Sequence, residues 1–294
     1  MSDSKYQVVC FGEVLWDILP SGAEPGGAPM NVAYHLHRQQ KMPALITKIG
    51  DDAQGRQLLD LFNAKRISTE YFEIDTHYET GKVYATQDEK GDMTYDIVQP
   101  VAWDFIQWQD SFPSLMSGAS YFVYGSLAAR EKQSRETLFR LLETAPQKVF
   151  DINLRSPHYQ KNVLLDLLNK ADFLKMNEEE LAHVSPWFTT HSNFEDKMKA
   201  ISEKLNLSLF VVTKGGKGAT LLVNDEVFSH PGFQVKVVDT VGSGDAFLAA
   251  VLSNLIDGKL PAVALETAVQ LGSFVATRKG AMPDYEIAEV KNIF

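Results

Sequence analysis

Asp245 closes the run Asp239-Thr240-Val241-Gly242-Ser243-Gly244-Asp245 and stands directly before the apolar stretch Ala246-Phe247-Leu248-Ala249-Ala250. The run reads as a glycine turn feeding a helix. A helix start leaves its first N–H groups unpaired and slightly positive, so it attracts anions. Glycine lets that backbone approach a ligand with no Cβ in the way. A carboxylate here would repel phosphate if binding were the whole task. It fits if the aspartate takes a proton from a hydroxyl while the amides of Gly242, Ser243 and Gly244 hold the group being transferred. The same residues also suit an ordinary capped helix after a flexible turn, and so short a motif does not choose between the two.

Other residues offer complementary chemistry. Asp17 follows Gly12-Glu13-Val14-Leu15-Trp16 just past an apolar run, where open α/β sheets bind ligands. Asn31 lies at an expected helix start after Gly26-Gly27, a place where asparagine is by itself more often a cap than a ligand. Arg155 follows Asp151 and Asn153 at a strand end; its fixed guanidinium fork suits phosphate oxygens, or a surface ion pair. Asn177 and Glu180 are spaced to share a helix face. Thr213-Lys214-Gly215 ends another strand. No Walker A loop is present, and Gly242-Ser243-Gly244 lacks the third glycine of a dinucleotide fingerprint. His35, His37 and His183 read as packing or surface residues, and Trp103 and Trp108 as core cover. No Ser/His/Asp set or Cys/His metal spacing stands out.

The elements that must position these residues alternate. Apolar runs at Val8–Phe11, Tyr121–Tyr124, Lys148–Ile152, Phe173–Met176 and Leu209–Thr213 read as strands. Amphipathic stretches at Asn31–Gln39, Ala53–Asn63, Ser134–Glu143, Lys161–Asn169 and Phe194–Leu205 read as helices. Leu221–Val223 and Val227–His230 suggest a hairpin around Asn224-Asp225. Ser243–Leu255 and Ala262–Ala276 read as strongly apolar helices. Strand–helix alternation implies a mainly parallel sheet covered on both faces. The region from about Thr80 to Gln99 departs from it, with two strand-like runs around the polar turn Asp88-Glu89-Lys90-Gly91-Asp92. With Val14–Leu19 it predicts a small separate sheet.

Asp239–Phe247 resembles the C-terminal signature of the ribokinase-like (PfkB) carbohydrate kinases. Gly26-Gly27-Ala28-Pro29-Met30-Asn31-Val32-Ala33 resembles their N-terminal sugar-binding signature. Between them Ile49–Gly55, Asp151–Arg155, Asn177–Glu180 and Thr213–Ala219 each have a counterpart, in the same order. The resemblance spans about Val8 to Pro283. It implies a single α/β domain over residues 1–294, a three-layer sandwich with a mainly parallel central sheet. Strands from about 14–19 and 80–99 would form a lid, which has a physical purpose: phosphoryl transfer to a sugar must exclude water. By the same resemblance Asp17, Asn31 and the Gly27 backbone hold sugar hydroxyls, and Arg155 faces phosphates or sugar. Asn177 and Glu180 help to order Mg²⁺ and its waters, while Thr213, Lys214, Gly215, Ala268 and Gly272 adjoin ATP. Asp239 and Thr240 lie where relatives bind a monovalent cation such as K⁺. Asp245 then acts as base in transfer from MgATP to a primary hydroxyl. Ser243 stands where many members carry alanine.

Gly27-Ala28-Pro29 looks more like fructokinases than ribokinases, whereas Met30 replaces a small residue common in the former. D-fructose is the expected acceptor. The alternatives are 2-keto-3-deoxygluconate, ribose, a nucleoside or a phosphorylated sugar, and, in another class, a non-catalytic sugar sensor. Composition sets bounds: 45% apolar residues allow a sizeable core, and a formal charge of −10 argues against a general nucleic-acid partner. The single cysteine, Cys10, sits in an apolar run and reads as structural. With neither a signal-like nor a membrane-spanning run, a cytoplasmic enzyme is expected. Relatives' lids often pair, so a homodimer through the lid is a further expectation.

Overall fold

A computed structural model describes residues 5–20, 22–87 and 93–292. The expected turn Asp88–Asp92 lies outside the described residues. The strands are β1 (Val8–Phe11), β2 (Leu15–Leu19), β3 (Gly22–Gly26), β4 (Pro43–Gly50), β5 (Phe72–Asp75), β6 (Gly81–Gln87), β7 (Met93–Ile97), β8 (Tyr121–Gly125), β9 (Gln147–Asp151), β10 (Phe173–Asn177), β11 (Leu209–Thr213), β12 (Ala219–Val223) and β13 (Glu226–His230). The helices are α1 (Ala28–Arg38), α2 (Ala53–Ala64), α3 (Phe112–Gly118), α4 (Lys132–Leu142), α5 (Lys161–Leu168), α6 (Glu178–Val184), α7 (Phe194–Leu205), α8 (Ser243–Ile256), α9 (Pro261–Ala276) and α10 (Ile287–Lys291).

Among the described residues a nine-stranded sheet runs β13-β12-β11-β10-β9-β8-β1-β4-β5, parallel except for the antiparallel edge β11-β12-β13. Alternate residues of each strand feed opposite faces. Val8 and Cys10 pack toward α1, α8 and α9, whereas Val9 and Phe11 join the cluster under α3–α7. Burial on both sides explains why the parallel strands read as continuous apolar runs. Cys10 is fully buried, and burial pushes its thiol up, as a structural cysteine requires. The β12–β13 turn places Asn224 and Asp225 at φ 49° and 65°, which these residue types tolerate best after glycine.

β4 was not legible as a strand. All eight of its residues are buried although Pro43, Thr47 and Lys48 interrupt the apolar pattern. Lys48 can be buried because Asp75 lies 2.7 Å from its Nζ and the Phe105 carbonyl accepts at 3.1 Å.

A second sheet of order β3-β2-β6-β7 forms the expected separate unit, with β3 as an added edge strand. Leu15, Val83 and Ile97 bury one face against Val101, Trp103 and Leu127. Arg130 secures its root. The guanidinium lies 4.0 Å over the Trp103 ring and bonds Asp104 through Nε at 2.7 Å and Nη2 at 2.8 Å. In the Ile49–Gly55 motif, Asp52 caps α2 by accepting from Gly55 N, and also accepts from Thr80 N and Oγ1, where the chain enters β6. That motif joins body to lid.

Candidate active site

The carboxyl ends of β1, β9, β10 and β11 meet the starts of α1 and α8, which is where parallel α/β folds place ligands. The turn before α8 takes the shape its glycine permits. Gly242 is the N-cap at φ 74°, and a Cβ there would lie 2.6 Å from Ala281 Cα. Ser243 Oγ donates to the Gly272 carbonyl at 2.8 Å, anchoring the turn on α9. One expected donor is already used, since Ser243 N donates to the Thr240 carbonyl at 3.2 Å. From Gly242 to Asp245, the backbone amides without a backbone partner among the described residues are those of Gly242, Gly244 and Asp245. Of the predicted donors, Gly242 and Gly244 thus keep unpaired amides, Ser243 does not, and Asp245 adds a third.

Asp245 is hydrogen-bonded to Asn31, whose Nδ2 donates to Oδ2 at 2.8 Å across 214 positions of sequence. Burial pushes the Asp245 carboxyl up to about 6, Asp151 adds to the rise, and Lys175, Asn31 and Arg155 oppose it. Asn31 is not a cap: Gly27 caps α1 without a side chain, with φ 120°, and Asn31 follows within the helix. A Cβ on Gly27 would strike the Glu13 carbonyl, and one on Gly26 would strike the Asp17 carboxylate. Asp17, on β2, is half-buried; burial raises it to about 6, with Arg155 opposing and Asp239 adding. Arg155 is exposed, donates to the neighbouring Leu154 carbonyl at 3.1 Å, and its charge reaches Glu13, Asp17 and Asp245. One cation thus faces three carboxyl groups.

Two participants escaped the sequence reading. Lys175 on β10 is buried and donates to both Asp151 oxygens, at 2.8 and 2.7 Å. Its Nζ lies 3.4 Å from the position a Cβ on Gly244 would take, directly behind the α8 turn. Burial works to lower the Lys175 ammonium, but Asp151, Glu180 and Asp245 together outweigh it and the net shift is upward. The signal was a lone lysine in an apolar strand, which needs a partner once buried. Glu13 follows β1 and is also buried, with Oε1 accepting from Ala28 N at 3.3 Å.

Asn177 and Glu180 form a reciprocal capping box on α6, each accepting from the other's amide at 2.8 Å. Glu180 Oε1 also accepts from Leu154 N at 2.9 Å, so this box orients the segment carrying Arg155. Glu178 and Glu179 are exposed. Thr213 lies beside Asn177 in register. Lys214 turns away, its Nζ 3.0 Å from Thr220 Oγ1, while Gly215 is exposed. Ala268 is fully buried in the core between α8 and α9, a packing position. Gly272 lets Ser243 approach α9. The Asp239 carboxylate accepts from Val241 N and Gly280 N, both at 3.0 Å. Among the described residues no group of three or more His, Cys, Asp or Glu is arranged to hold a metal ion, and no helix is long and apolar enough to cross a membrane.

A half-buried acid set among unpaired amides, below a small sheet and on a parallel body, is the architecture of a small-molecule phosphotransferase with a lid. The model of the pfkB family carbohydrate kinases matches residues 21–288. The chain belongs to that family and is a sugar kinase. It is similar to a fructokinase of Klebsiella pneumoniae, at 32% identity over 292 residues, covering 92% of this chain and 93% of that protein. Fructokinase-2 of Zea mays is 29% identical over 307 residues, covering 94% and 90%. The crystal structure of the Vibrio cholerae O395 fructokinase in its fructose, ADP and calcium ion bound form matches with a TM-score of 0.84 at 26% identity, covering 99% of each chain.

Proposed function

We propose that this chain transfers the γ-phosphoryl group of MgATP to the primary hydroxyl of D-fructose, giving fructose 6-phosphate. The observation that carries the reading is the 2.8 Å bond from Asn31 to Asp245, which joins the expected sugar-binding helix to the expected base. The fructokinases it resembles supply the choice of sugar. The residues present fit a phosphate chain: unpaired amides at the start of α8, a buried lysine behind it and an arginine in front. When bound, MgATP supplies the transferred group and a divalent charge that offsets its oxygens.

Asp245 accepts the proton of the acceptor hydroxyl. Asn31 keeps its carboxylate oriented, and Asp17 and the Gly27 backbone hold neighbouring hydroxyls. The amides of Gly242, Gly244 and Asp245 donate to phosphoryl oxygens with Arg155 assisting. Glu180, whose oxygens already accept from backbone amides, acts on Mg²⁺ through water. A monovalent cation beside Asp239 and Thr240 completes the proposal.

The test is turnover of ATP with Mg²⁺, with and without K⁺, against fructose, ribose, 2-keto-3-deoxygluconate, adenosine and fructose 6-phosphate. Saturable phosphorylation of fructose is the expected result. Preference for another acceptor would overturn the specificity, and sugar binding without turnover would overturn catalysis.

A further inference from the structure

Two buried acceptor atoms near Asp245 have no hydrogen-bond partner among the described residues: Glu13 Oε2 and Asn31 Oδ1. Burial of an unpaired polar atom is costly, so each needs a donor. Both residues flank the same turn. Glu13 is 2% exposed, and its other oxygen accepts from Ala28 N at the start of α1. It thereby serves as the external cap that Gly27 lacks. Side chains on a helix lean toward its N-terminus, which carries Asn31 back toward that same end.

We propose that Glu13 is a positioning residue that carries a proton on Oε2 and donates it to Asn31 Oδ1, forming a chain from Glu13 through the Asn31 amide to the Asp245 carboxylate. The chain fixes which end of the Asn31 amide faces Asp245, since Oδ1 is occupied and only Nδ2 remains to donate.

The surroundings favour the neutral acid. Burial pushes Glu13 up to about 7, Asp245 on α8 adds to the rise, and the Glu13 and Ala28 amides and Arg155 oppose it. The first turn of α1 contributes no acidic residue, and Asp17 on β2 shares the charge of Arg155. Above neutral pH the proton leaves, Asn31 loses its donor, and Asp245 loses its fixed partner.

The catalytic consequence rests on the sugar-kinase reading; the hydrogen bond does not. The first measurement is therefore infrared difference spectroscopy of the full chain with ¹³C-labelled glutamate and no substrate. The expected result is a protonated-carboxyl stretch at pH 6 that disappears as the pH rises through about 7 and is missing in Glu13→Gln. A wild-type spectrum without that band would overturn the proposal even in an enzyme that phosphorylates fructose. Kinetics form the second arm. Glu13→Ala should lower kcat by about 10–100-fold with the KM for ATP little changed, the scale of a misplaced catalytic group. Glu13→Gln, which still donates and accepts, should restore most of it and remove the wild-type fall in kcat above neutral pH. A Gln variant as impaired as the Ala variant, or with an unchanged alkaline limb, would overturn the proposal.

Discussion

The proposed phosphate side and the proposed sugar side of the cleft are built differently. Around the start of α8, Lys175, Asp151, Asn177 and Glu180 are tied by short bonds, and all except the exposed Asn177 are buried. On the sugar side Asp17 sits on a strand of the lid, which meets the loop after α9 through the exposed pair Glu24–Lys279 at 2.8 Å. The lid's own root is buried, at Trp103, Asp104 and Arg130. In the proposed reaction the charged group that must be ready before transfer is held by low-dielectric neighbours, whereas the proposed cover is joined to the body by a buried root and an exposed ion pair.

The sharpest way to break the comparison is at Asp245. Asp245→Asn should lower kcat by roughly 10²–10⁴, the usual worth of a general base, as read by a coupled ADP assay. The same variant should gain stability at pH 8. Burial raises the folded carboxyl to about 6, so the native state holds its proton more tightly than the unfolded chain. That preference is fully present below the unfolded value and is lost as pH rises through about 6. A gain of ~1–3 kcal/mol at pH 8 and none at pH 4, measured by denaturant titration, is the expected pattern.

Next comes Lys175→Met, which strands Asp151 in the interior. Breaking a buried pair costs about 3–5 kcal/mol, so the urea midpoint should fall sharply. Gly26→Ala should act more locally, by pushing the Asp17 carboxylate aside. The KM for sugar should rise about tenfold, the scale of one charge-assisted hydrogen bond, with the KM for ATP little changed. Glu24→Gln is the smallest. An exposed ion pair contributes about 1 kcal/mol or less, so stability should change by no more than that and kcat should stay within about twofold of wild type. A large loss there would make the lid contact part of the machinery and erase the contrast.

Most of the body was legible from residue order. The limits of α7 and β11, and the start of α8, follow from amphipathic spacing, β-branched runs and a glycine turn. These signals are short-range and survive in a single sequence. β4 and β3 were not legible, because Lys48 and Thr47 break one pattern and Gly22-Ala23-Glu24-Pro25-Gly26 carries almost none. Only pairing partners make them strands: β1 and β5 for the first, β2 for the second. The site divided in the same way. Asp17, Asn31, Arg155 and Asp245 stood out as chemistry-bearing residues. The amides left free, the turn of Lys214 toward Thr220 and the burial of Ala268 did not.

By itself, then, the sequence determined the α/β alternation, the glycine-led start of α8 and the identity of the base candidate, since each depends on neighbours a few positions away. Tertiary structure alone decided that Asn31 meets Asp245 across 214 positions, that Lys175 neutralises Asp151, and that Glu13 is buried within reach of the Asp245 charge. Protonation state depends on desolvation and on charges brought together through space, and linear spacing records neither.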